Sequence, residues 1–98
     1  MNVHYRLHDI LFEWHSEKDS ANLNKHGVTF QIASEVFFDP FVRVVAEEFV
    51  DGERREAVVG MTVDWRLLYV VYVMRDESVR LISARPVTTT ERREYEDQ

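Results

Sequence analysis

The chain has no cysteine, three glycines and two prolines among its 98 residues. Without cysteine it has neither a disulfide nor a thiolate metal ligand, which suits a reducing cytosol. No apolar run reaches the roughly 18 residues that a membrane span needs, and no charged-then-apolar leader marks a secretory signal. The expectation is a cytoplasmic protein with no membrane association. Positive charge is also in short supply, since 12 Lys and Arg face 18 Asp and Glu for a net charge of −6. That balance argues against a general nucleic-acid coat protein, whose affinity rests on neutralising phosphates.

The chain is instead 45% hydrophobic and 12% aromatic, enough apolar material for one core and hence for a single domain over residues 1–98. The charges are unevenly placed. Glu47, Glu48, Asp51, Glu53 and Glu56 crowd one segment, and Glu94, Glu96 and Asp97 crowd the tail. Arg75, Arg80, Arg85, Arg92 and Arg93 dominate the stretch between them. An acidic protein with a local cationic face is therefore possible, and its acidic surface suits a basic partner.

Residues 1–11 have no clear period and are read either as a frayed extension or as an extra edge strand. Phe12 and Trp14 alternate with Glu13 as in a strand with one buried face. A helix follows, with Ser16 expected as its N-cap, Asp19 as a weak capping-box partner and Gly27 as its left-handed stop. Thr29 is an N-cap for a second helix, in which Ile32, Ala33, Val36 and Phe37 fall at helical spacing until Asp39-Pro40 ends it. Strands are then expected over Phe41–Phe49, Arg55–Val63, Leu67–Met74 and from Val79 to Pro86. Asp51-Gly52 marks a hairpin, and Leu67–Met74, apolar on both faces, should be central. Glu91–Glu96 reads as a last helix after Thr88–Thr90. The order implies α+β, with two N-terminal helices and a C-terminal helix packed on a mainly antiparallel sheet.

Several polar groups suit phosphodiester chemistry. Such chemistry without a metal requires a base for the attacking hydroxyl, donors for the phosphorane charge and an acid for the leaving oxygen. His26 could move a proton near neutral pH, and the strand arginines Arg55, Arg75, Arg80 and Arg85 carry forks that grip phosphate. On one helix, Lys18, Asn22, Lys25 and His26 share a side. Each has a plainer role available. His26 caps its helix, the arginines pair with the many carboxylates, the lysines form a solvated face, and Asp39 turns the chain. Trp14 and Trp65 read as core and turn packing. His4 and His8 would meet a metal only on a helix with a third ligand.

The run E-W-x-x-x-K-x-x-x-N-x-x-K-H-G-V from Glu13 to Val28 resembles the start of the BrnT family of bacterial toxins. The likeness resumes at Ala33–Pro40, Gly60, Arg66–Leu68 and Val79–Arg85, and ends in Glu91-Arg92-Arg93-Glu94-Tyr95. The resemblance implies a RelE/ParE-like, strongly twisted α+β fold and a type II toxin that cleaves RNA as an endoribonuclease and inhibits translation, with no cofactor. It further implies a BrnA-like ribbon-helix-helix antitoxin as partner, through which alone operator DNA is contacted. On that reading His26, Arg55, Arg80 and Arg85 are catalytic candidates, and Lys18, Lys25, Arg75 and Arg92 are RNA- or phosphate-binding candidates. Two other outcomes stay open: a decayed toxin kept as antitoxin partner and corepressor, and a ParE-like gyrase inhibitor.

Overall fold

Alternation of apolar and polar side chains builds an N-terminal hairpin from β1 (Asn2–Leu7) and β2 (Ile10–His15). The computed structural model describes residues 1–98. The first residues are thus an edge strand, pairing antiparallel with β2 from Asn2↔His15 to Leu7↔Ile10. Val3, Tyr5 and Leu7 pack against the core, which is what secures this strand. His4 and His8 do not converge: the His4 ring lies 3.4 Å from Glu13, whereas His8 sits in the turn and meets the edge of Phe38.

Helix α1 (Ser16–His26) is capped by His15 rather than Ser16, the imidazole accepting from the Glu17 N–H. Asp19, expected as a capping-box partner, instead accepts from the Phe30 N–H at 2.8 Å and so ties α1 to the next helix. Gly27 closes α1 at φ 69, where a Cβ would be strained. Thr29 caps α2 (Phe30–Ala33), which tightens into a 3-10 turn over Ser34–Phe38. One long second helix is therefore replaced by two short pieces. The tighter turn brings Val36 against β4, where a Cβ on Gly60 would stand 2.7 Å from the Val36 carbonyl oxygen.

Strands β3 (Arg43–Val50), β4 (Glu53–Met61), β5 (Leu67–Met74) and β6 (Val79–Pro86) run as antiparallel hairpins, and α3 (Thr89–Glu96) ends the chain. The strand order is β1-β2-β6-β5-β4-β3. One junction is parallel: β2 meets β6 at Phe12↔Val79 and Glu13↔Arg80 and then diverges. β5 is interior, as its apolar run requires. The core unites Phe12 and Trp14 of β2, Val28, Phe30, Ala33 and Val36 of the helical segment, and Leu68, Val70, Leu81 and Ala84 of the sheet. Burying each such large side chain contributes about 2 kcal/mol. The fold is α+β, with three helices on a six-stranded, mostly antiparallel sheet.

Candidate functional site: the groove between α1 and β6

Where β2 leaves β6, a length of β6 loses its strand neighbour, and Asn22 of α1 takes the vacant place. Its amide donates to the carbonyls of Ala84 (2.8 Å) and Val28 (2.9 Å), while its oxygen accepts from the Ala84 N–H (3.1 Å). The amide thus completes backbone pairing as a neighbouring strand would, which is why a polar residue in this place is buried. This docking lays α1 alongside β6 and leaves a shallow groove of about 260 Å³ lined by Lys18, Ala21, Asn22, Lys25, His26, Ile82 and Ser83.

A bulge in β6 shapes the far wall. Val71 faces Ser83 and Tyr72 faces Leu81, so Ile82 is the extra residue. Such a bulge re-aims side chains, and here both Ile82 and Ser83 line the groove. Lys18 and Lys25 are exposed and His26 is half-buried. No carboxylate lines the groove, and none of the ion pairs involves Lys18, Lys25 or His26. The sequence spacing of four, seven and eight residues therefore reports a real shared face.

The arginines are held differently. Arg80, on β6 but not among the residues that line the groove, lies 3.4 Å from Glu13. Arg85 makes two bonds of 2.8 Å to the two oxygens of Glu91 and stacks 4.1 Å over the Tyr69 ring. The Arg85 pair, with the Thr88 N–H, pulls the Glu91 carboxyl down to about 2 and raises the Arg85 guanidinium. Arg75 pairs with Glu53 at 3.0 Å and lines a separate recess with Asp76 and Glu77. Arg92 is exposed on α3. Neither Arg75 nor Arg92 lines the groove.

Arg55 stands apart. It is half-buried, has no carboxylate partner, and its Nε has no hydrogen-bond partner. It lines a recess of about 160 Å³ with Tyr69, Val71 and three carboxylates, Glu47, Glu48 and Glu56, and Val71 is the residue opposite Ser83. Ser83 therefore links the groove to the recess of Arg55. The structure brings Lys18, Lys25 and His26 together, with Arg80 and Arg85 flanking Ser83 on β6 and Arg55 across the sheet. Asp39 serves the fold, accepting from the N–H groups of Phe41 (3.0 Å) and Met61 (2.8 Å) and from the Tyr95 hydroxyl. Burial and that bond to Asp39 push Tyr95 up to about 12.

Sequence reasoning missed two contributors. Glu13 holds Arg80 only because β2 and β6 pair in parallel, a register that no local pattern announces. Arg66 donates to the Gly27 carbonyl at 3.1 Å and fixes the end of α1 beside His26. No group of three potential metal ligands occurs in the structure.

No protein of curated function matches the sequence. Among solved structures, the fold is similar to the 1.1 Å crystal structure of the Brucella abortus ribonuclease toxin BrnT, with a TM-score of 0.60 at 19% identity, covering 78% of this chain and 94% of that one. The family described as "Ribonuclease toxin, BrnT, of type II toxin-antitoxin system" matches residues 14–91, a span that includes all of α1 and β6. The chain belongs to the BrnT family of ribonuclease toxins of type II toxin–antitoxin systems.

Proposed function

We propose that this chain is a RelE/ParE-like endoribonuclease that cleaves RNA without a metal, stops translation in the cytoplasm, and is neutralised by a BrnA-like ribbon-helix-helix antitoxin. Operator DNA is contacted only through that antitoxin. The observation that carries this reading is the α1–β6 groove, where Lys18, Lys25 and His26 meet with no carboxylate among the lining residues of a protein of net charge −6.

In the proposed reaction the 2′-oxygen of RNA bonds to the adjacent phosphorus and the bond to the 5′-oxygen breaks, leaving a cyclic phosphate and a 5′-hydroxyl. Lys18 and Lys25 hold the phosphate, and the imidazole of His26 transfers the proton. The Ser83 hydroxyl, on the groove wall, donates to a phosphate oxygen in this proposal. Arg55, whose Nε has no hydrogen-bond partner, is the guanidinium that answers phosphorane charge in this proposal. Arg80 and Arg85 contribute only by releasing Glu13 and Glu91.

The bidentate hold of Glu91 on Arg85 favours one alternative, a binding module whose site has decayed. Expression of the chain alone in bacteria separates the two. Growth arrest with RNA loss, relieved by the protein encoded beside it, supports the nuclease. Binding of that protein without arrest supports the module, and arrest with intact RNA points to gyrase.

A further inference from the structure

On the side of the molecule beyond Gly27, the turn between β4 and β5 carries Trp65 with 82% of its surface exposed, in a left-handed conformation at φ 65. A tryptophan rarely adopts that backbone geometry. The turn is closed by bonds from the Thr62 N–H to the Arg66 carbonyl (2.8 Å), from the Trp65 N–H to the Thr62 carbonyl (3.1 Å) and from the Arg66 N–H to the Thr62 hydroxyl (3.0 Å). The ring is thus presented outward by a well-bonded turn. Around it stand Val63 (77% exposed), Phe41 (62%) and Phe38 (36%), edging an apolar recess of about 370 Å³. Clustered exposed apolar side chains on a small protein mark an interaction site, and strained backbone that persists points the same way.

Charge decides what docks there. The recess is lined by Glu35 and Asp39 and by no Lys, Arg or His, and Asp64 lies between Val63 and Trp65. Both lining carboxylates are engaged, Glu35 accepting from the Val63 N–H at 3.0 Å. Nucleic acid, which brings phosphates, is disfavoured on such a surface. An apolar segment flanked by Lys or Arg fits it.

We propose that this patch is where the antitoxin docks, through a segment that seats apolar side chains against Trp65 and Phe41 and sets basic residues on the acidic rim. The proposal rests on the toxin–antitoxin reading given above. It also supplies a route to neutralisation. Arg66, the residue after Trp65, holds the carbonyl of Gly27, the residue after His26. The turn that carries Trp65 is therefore bonded to the end of α1 that bears His26.

The test uses the full chain and the small protein encoded beside it, with binding measured by calorimetry. Trp65→Asn keeps a residue that tolerates left-handed backbone, and Phe41→Ala removes the second ring. The double variant is expected to lose at least about 30-fold in affinity, as for aromatic anchors elsewhere, while its RNA cleavage stays at the wild-type rate. Asp64→Lys is expected to weaken binding at low salt and to lose that difference at high salt. Unchanged affinity in the double variant overturns the proposal, as does loss of self-association of the toxin with antitoxin affinity intact, which would assign the patch to a second copy. Reduced RNA affinity with intact antitoxin binding also overturns it. A wild-type chain that binds its neighbour through Trp65 yet never cleaves RNA would refute the nuclease reading alone.

Discussion

The groove cations and the sheet arginines differ in what already holds them. Lys18, Lys25 and His26 face a groove without a carboxylate. Arg54, Arg75, Arg80 and Arg85 each have one, at distances from 2.6 Å for Arg54–Glu47 to 3.4 Å for Arg80–Glu13. A phosphate arriving at the sheet must break an existing pair, whereas one arriving at the groove displaces only water. Positive charge on an acidic protein is therefore a guide to an RNA site only after the paired cations have been set aside. Arg55, half-buried with an Nε that has no hydrogen-bond partner, is intermediate: it makes no ion pair, but Glu47, Glu48 and Glu56 line its recess.

That contrast can be broken at several points. His26→Gln is expected to lower RNA cleavage by about 10²- to 10³-fold, the usual worth of a positioned proton-transfer group; single-turnover rates on a short RNA would measure it. Removing both lysines, as Lys18→Ala with Lys25→Ala, should weaken RNA binding at least about 100-fold, since each charge-assisted hydrogen bond is worth about 1.5 kcal/mol or more. Arg75→Ala and Arg54→Ala should leave that affinity within about twofold, because exposed pairs contribute little.

Other substitutions probe how the groove is built. Asn22→Ala orphans the Ala84 N–H and two carbonyls and should cost about 2–4 kcal/mol in urea unfolding; an unchanged midpoint would mean that the amide does not hold α1 to β6. Glu91→Gln weakens both the Arg85 pair and the capping box with Thr88, at a cost of about 1 kcal/mol. The sign of its pH dependence is fixed. The Glu91 carboxyl is lowered from 4.5 to about 2 in the fold, so its contribution is complete above 4.5 and disappears as pH falls through 2. The stability gap between wild type and Glu91→Gln should close across that window. A gap of the same size above pH 4.5 and near pH 2 would remove the pair from the account. The smallest effect is expected for Arg75→Ala, within about 0.5 kcal/mol of wild-type stability.

Local signals in the sequence carried much of this architecture. Gly27, Thr29 and Asp51-Gly52 each stand where the chain turns or a helix is capped, with positive φ at Gly27, Asp51 and Gly52. Helical spacing gathered Lys18, Asn22, Lys25 and His26 onto one face, and the structure keeps them together. What could not be read was non-local. Asn22 looks like any polar helix residue until β2 and β6 part and leave the Ala84 backbone unpaired. Residues 2–7 alternate polar and apolar side chains, but nothing local shows what that short run pairs with, and only pairing with β2 orders it. Asp19 and Ser16 followed the capping rule in sequence, but His15 reached the Glu17 N–H first and Asp19 was drawn to Phe30. Trp65, expected to pack in its turn, is exposed at a left-handed turn position.

The most direct measurement is cleavage of RNA by the purified chain in the presence of a chelator, comparing wild type, Lys18→Ala/Lys25→Ala/His26→Gln, and Arg54→Ala/Arg75→Ala. Cleavage by wild type and by the arginine variant, with the groove variant silent but folded, is the result expected of an uncompensated cationic groove that does the chemistry. Cleavage that survives in the groove variant, or that fails equally in the arginine variant, would contradict it.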